Sequence, residues 1–98
     1  MLHIVNKSPW ERNTLESLVR VARGGSVLLI EDGVYAATRG SSAEDLLRTA
    51  QGRFAIYVLQ PDAEARAVAD QILDGVTPVD YHGFVDLVTK HARCQSWL

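Results

Sequence analysis

The chain has 98 residues, with 12 Asp and Glu against 10 Lys and Arg, three His, one Cys and 47% apolar side chains. That length allows one domain, spanning residues 1–98, since domains run to roughly 100 to 200 residues. The charged share of 22% is too low for a disordered segment. The net charge of −2 and the scattering of the cations leave no basic face of the kind that grips nucleic acid or an anionic membrane.

Cys94 stands alone, which excludes an intrachain disulfide framework and every multi-cysteine zinc motif. The opening turns polar after Val5, too soon for the core of a signal peptide. The longest wholly apolar run, residues 54–59, falls far short of the ~20 residues that a membrane helix needs. These features predict a soluble, cytosolic chain. A core this small buries about 60 to 70% of the unfolded surface, which makes a partner subunit physically plausible.

Strand and helix signals alternate from end to end. Leu2 to Val5 suits a short strand. Ser8-Pro9-Trp10-Glu11 reads as a helix start, with Ser8 as cap, Pro9 at the first helical position and Glu11 closing a capping box. Leu15, Leu18, Val19 and Ala22 then fall on one helical stripe, and Gly24-Gly25 is expected to end the helix through a left-handed backbone. Val27 to Ile30 is apolar on both faces, as in a parallel sheet covered on both sides. Glu31-Asp32-Gly33 punctuates it, and Val34 to Ala37 predicts a short helix. Gly40 breaks that segment, and Ser41 and Ser42 are placed to cap the helix that begins at Glu44.

Phe54 to Leu59 is a second strand with no polar face. Pro61-Asp62-Ala63-Glu64 opens a helix with acids at the positive end of its dipole. Its expected stripe is Ala65, Val68, Ala69 and Ile72, and Asp74-Gly75 closes it. Thr77 to Tyr81 suits a short strand that Pro78 pushes to an edge. Gly83 is expected to start a helix with Phe84, Leu87, Val88 and His91 on one face, and residues 94–98 suit a terminal strand. Alternation of this kind defines an α/β fold, a three-layer sandwich around a mostly parallel sheet. Strand order is not readable from the pattern.

In open parallel sheets ligands sit beyond the carboxyl ends of the strands. The residues expected there are Asn6-Lys7-Ser8, Glu31-Asp32-Gly33 and Gln60-Pro61-Asp62. The acids Glu31 and Asp32 could hold a metal or act as a general base. The structural reading is that Asp32 caps the following helix and Glu31 faces water, and it is favoured because such turns need caps whatever the function. No G-x-G-x-x-G, P-loop or H-E-x-x-H occurs, so nothing marks a cofactor or a catalytic metal. His3, His82 and His91 have no spacing that brings a pair together and read as structural or surface residues. Cys94 is the one possible thiol nucleophile. Arg93 beside it and His91 three residues back could lower its pKa, but a terminal strand is a poor place for an activated thiol. Trp10 and Trp97 either anchor an interface or close the ends of the core.

A set of short segments carries a resemblance over nearly the whole length. They are Leu2-His3, Asn6-Lys7-Ser8-Pro9, Glu31-Asp32-Gly33-Val34-Tyr35-Ala36-Ala37 and Tyr57-Val58-Leu59. Residues 62–66, Asp80-Tyr81, Gly83-Phe84-Val85-Asp86-Leu87 and Gln95-Ser96-Trp97-Leu98 complete the set. In this order they resemble the TusB/DsrH family of sulfur-relay subunits. The resemblance implies a DsrE-like α/β/α fold with five largely parallel strands. It also implies assembly with TusC/DsrF-like and TusD/DsrE-like subunits into a dimer of heterotrimers, which passes persulfide sulfur to a TusE/DsrC-like acceptor. In the tRNA pathway that sulfur goes toward 2-thiouridine at the wobble position. The acceptor cysteine of such complexes belongs to the TusD/DsrE-type chain. DsrH proteins of sulfur oxidisers typically carry a cysteine in the first helix, whereas this chain reads Thr14-Leu15-Glu16-Ser17-Leu18-Val19-Arg20, with Leu18 roughly at that place. Cys94 lies near the other end of the chain and is not its equivalent. A non-catalytic, tRNA-type subunit is therefore expected. The opening from Asn6 to Asn13 resembles DsrH more closely than typical enterobacterial TusB, which keeps a sulfur-oxidation role as the alternative.

Overall fold

The computed structural model describes residues 1–11 and 13–97. Five strands, β1 (Leu2–Val5), β2 (Gly25–Leu29), β3 (Phe54–Leu59), β4 (Thr77–Val79) and β5 (Cys94–Trp97), form one sheet in the order β4-β3-β2-β1-β5. Every pairing is parallel, with Leu2 opposite both Ser26 and Cys94. The α/β reading is correct, and Arg12 and Leu98, which fell within the expected first helix and terminal strand, lie outside the described residues.

Four α-helices connect the strands: α1 (Thr14–Val21), α2 (Glu44–Ala50), α3 (Gln60–Ala65) and α4 (Tyr81–Lys90). Two 3-10 segments, Glu31–Ala37 and Ala69–Gln71, complete the set. From β1 to β4 the chain steps one way across the sheet, and its helices cover one face. There Val5, Val27, Leu29, Phe54, Ile56 and Val58 pack with Leu15, Leu18, Leu47 and Ala63. The last crossover returns over the sheet to the far side of β1. Crossovers keep one hand, so a reversed step places its helix on the opposite face. Accordingly α4 sets Leu87 and Phe84 over Leu2, Leu28, Ile4 and Tyr57.

Several boundaries differ from expectation, each for a local reason. Ser8 does not start a helix. Its carbonyl and hydroxyl both accept the Glu11 N–H, at 3.2 and 3.3 Å, closing a turn, and α1 begins only at Thr14. That helix ends by an extended Ala22 rather than a left-handed glycine. Gly25, at φ +116, is needed instead because a Cβ there would strike the Met1 carbonyl oxygen. The helix expected to run from Pro61 to Asp74 breaks at Ala67, whose φ is +58. Val68, Ala69 and Ile72 still pack against the core, so helical spacing survived without a continuous helix. Asp80, not Gly83, opens α4, its Oδ1 accepting the Gly83 N–H at 2.8 Å.

Candidate functional site

The carboxyl ends of the strands bring two of the three expected segments into contact. Glu31 leaves β2 with φ +49, and its N–H donates to Asp62 Oδ2 at 2.6 Å across the mouth of the sheet. The Asp62 carboxylate thus satisfies a turn that an L-residue enters reluctantly. Asp32 does not cap the short helix. Its Oδ1 accepts from Arg66 Nε at 2.9 Å, and this contact holds the guanidinium still more firmly protonated than usual. Glu31 faces water, as its structural reading had it. Gly33 lies against the end of β1, where a Cβ would run into the Val5 carbonyl oxygen. The carboxylates of Asp32 and Asp62 therefore brace the loop, and among the described residues no group of three or more His, Cys, Asp or Glu could hold a metal ion.

The third segment leaves the carboxyl end of β1, the strand that pairs with both β2 and β5, and parallel sheets bind ligands beyond such ends. Asn6 Oδ1 is buried there without a hydrogen-bond partner among the described residues. Nearby, Trp10 is 65% exposed and stacks obliquely on Tyr35, with ring centroids 5.4 Å apart.

Along the β1–β5 pairing the aromatic pair is His3 and Trp97. His3 is 3% exposed, Trp97 Nε1 donates to its Nδ1 at 3.1 Å, and its ring bonds the Gly24 carbonyl. Burial, and then the nearby amino terminus, lower the His3 pKa from its ordinary value, against the Gly24 bond that raises it. A neutral ring with Nε2–H turned to Gly24 and a free Nδ1 lone pair fits both bonds. Trp97 packs against the core from this edge. His91 holds the Leu87 carbonyl at 2.8 Å at the end of α4, and the exposed His82 lies 3.9 Å from Asp86 on the same helix.

Cys94 is a free, exposed cysteine at the start of β5. It sits at the amino pole of the sheet, whereas Asn6, Glu31, Asp32 and Asp62 stand at the carboxyl pole. Leu18, at the place considered for a carrier cysteine, is a core residue with 0% exposure.

The arrangement defines a small parallel α/β domain whose carboxyl-end acids serve its loops. A family profile described as "DsrH like protein" matches residues 7–94. The chain belongs to this DsrH/TusB family of sulfur-relay subunits. It is 40% identical to Protein TusB of Klebsiella pneumoniae (strain 342) and 37% identical to Protein TusB of Shigella flexneri, in each case covering 99% of this chain and 100% of the relative. Against Protein TusB of Escherichia coli O139:H28 identity is 36% with the same coverage. The crystal structure of the ychN protein from E. coli superposes with a TM-score of 0.81 over 98% of this chain and 97% of that one, at 17% identity, a likeness of fold. Among the described residues no helix is long and apolar enough to cross a membrane.

Proposed function

We propose that this chain is the non-catalytic subunit of a cytosolic persulfide relay that serves 2-thiouridine formation at the tRNA wobble position. Its partners in this reading are TusC-like and TusD-like chains in a dimer of heterotrimers, which hands sulfur to a TusE-like acceptor. The TusD-like chain carries the reactive cysteine.

The observation that carries this reading is similarity to proteins named TusB over 99% of the chain and all of the relative. It is supported by the first helix, which holds no sulfur and turns Leu18 into the core. The net charge of −2 suits a subunit that leaves the tRNA to others. Coexpression with the neighbouring genes for the two sister chains, followed by size-exclusion chromatography, tests the assembly. A single peak holding all three chains is the expected result, and a persistent monomer in their presence would overturn it.

The exposure of Cys94 supports one rival, in which this chain itself carries sulfur. Its thiolate would attack the outer sulfur of a donor persulfide and release the donor as a thiolate. Mass measurement after incubation with a persulfide donor separates the two. No adduct beyond that of an ordinary free cysteine is expected on the isolated chain, and a faster-forming sulfur adduct that Cys94→Ser abolishes would make the chain a carrier.

A further inference from the structure

The two margins of the sheet are built differently. At one margin β4 has three residues and carries Pro78, which removes an N–H and blunts the edge. At the other, β5 has four residues with no proline, lysine or glycine in Cys94-Gln95-Ser96-Trp97. Leu2 N–H donates to the Arg93 carbonyl at 2.9 Å, so Arg93, Gln95 and Trp97 turn their main chain toward β1. By the same alternation Cys94 and Ser96 point their N–H and C=O groups outward, and Cys94, Gln95 and Ser96 are all exposed.

A cavity of about 330 Å³ opens beside this edge, between β5 and the end of α1, walled by Met1, His3, Val21, Arg23, Gln95 and Trp97. Val21 is 71% exposed on its rim, and no acidic side chain lines it. The charge at this margin is positive. Arg23 is in the wall, Arg93 enters the strand, and the Met1 amine is near enough to depress His3. Arg23 and Arg93 are exposed, and among the described residues neither side chain makes a hydrogen bond or ion pair.

We propose that the free edge of β5 accepts an extended segment of an acidic partner chain. The segment adds a sixth strand by pairing with the main chain of Cys94 and Ser96. One of its apolar side chains enters the cavity against Trp97 and Val21, and its carboxylates meet Arg23 and Arg93. A second copy of this chain is a poorer occupant. Four residues with polar Gln95 and Ser96 offer main-chain bonds rather than the roughly 1,200 to 2,000 Å² that a stable pair of proteins buries. The proposal stands independently of the sulfur-relay reading.

The test uses the full chain and a fluorescein-labelled peptide, Thr-Val-Thr-Val-Thr-Val-Asp-Glu, followed by anisotropy at low salt. Saturable binding is expected, about tenfold weaker when the final two residues are replaced by Lys-Lys and about fivefold weaker for Arg93→Glu. Methylating the alternate amides along one edge of the peptide abolishes binding, and methylating those along its other edge does not. Ser96→Pro abolishes binding where circular dichroism shows the fold intact; should that variant misfold, Arg93→Glu and the methylated peptides decide. Absence of binding, equal binding of the Lys-Lys peptide, or indifference to methylation on both edges would overturn the proposal. So would self-association through β5, seen as a dimer that the peptide cannot displace.

Discussion

Trp97 donates its indole N–H to His3 Nδ1 at 3.1 Å, joining residues 94 positions apart across the β1–β5 pairing. The bond needs Nδ1 unprotonated, and burial with the nearby amino terminus lowers the His3 pKa from 6.5. The unfolded chain therefore binds a proton that the folded chain refuses, and stability from this group is complete above about pH 6.5 and lost as pH falls below it. Chemical unfolding between pH 7.5 and 5 is expected to show a slope of up to about 1.4 kcal/mol per pH unit in wild type. His3→Asn, which keeps a side-chain acceptor for Trp97, removes that component. Equal slopes in the two proteins would show that another group titrates.

Asp32 and Gly33 are neighbours with opposite expectations. The Asp32–Arg66 pair is partly solvated, so Asp32→Asn is expected to cost less than about 1 kcal/mol. Gly33→Ala puts a methyl into the Val5 carbonyl oxygen at the end of a core strand, and a loss of about 2 to 4 kcal/mol in denaturant unfolding is expected. A larger loss from Asp32→Asn than from Gly33→Ala would contradict this division of roles.

The turn after β2 supplies a third comparison. Glu31 is held at φ +49 by the Asp62 carboxylate, which accepts its N–H at 2.6 Å. Replacing Glu31 by glycine removes the backbone strain, so Glu31→Gly is expected to be neutral or stabilising by up to about 1 kcal/mol. Asp62→Ala leaves the strain unopposed and costs about 1 to 2 kcal/mol. Thermal unfolding of the two variants reads the opposite signs directly.

What was legible in the sequence was local. Apolar runs marked β2, whose residues from Ser26 to Leu29 are buried on both faces, and β3, although Ala55 on its second face is exposed. Pro78 marked an edge because it cannot donate to a ladder. What escaped depends on contacts between distant residues. The break at Ala67 has no glycine or proline to announce it, and Val68 and Ile72 keep helical spacing because the core still needs them there. Asp32 looks like a cap in one dimension, and only the fold brings Arg66 to it across 34 positions. Strand order, and with it the meeting of His3 with Trp97, follows from the reversal after β4, which no local pattern records. The cavity beside β5 belongs to that same reversal. Its sequence signal was limited to the bare residues of the last strand.

The positions of Leu18 and Cys94 give a prediction that bears on the relay itself. A sulfur carrier must let a donor thiol reach its own sulfur. Cys94 lies exposed on an edge strand, whereas Leu18 is enclosed by the core with no exposed surface. In the native protein Cys94 is therefore expected to react with a disulfide reagent at the rate of a free thiol. Leu18→Cys combined with Cys94→Ser is expected to lose about 1 to 3 kcal/mol through the smaller side chain. Its new thiol reacts only through opening of the fold, at least about a hundredfold more slowly than Cys94. Absorbance from the released thiol, followed with and without denaturant, measures both rates. Comparable native rates would mean that the first helix presents residue 18 to solvent, and a cysteine there would then be reachable by a sulfur donor.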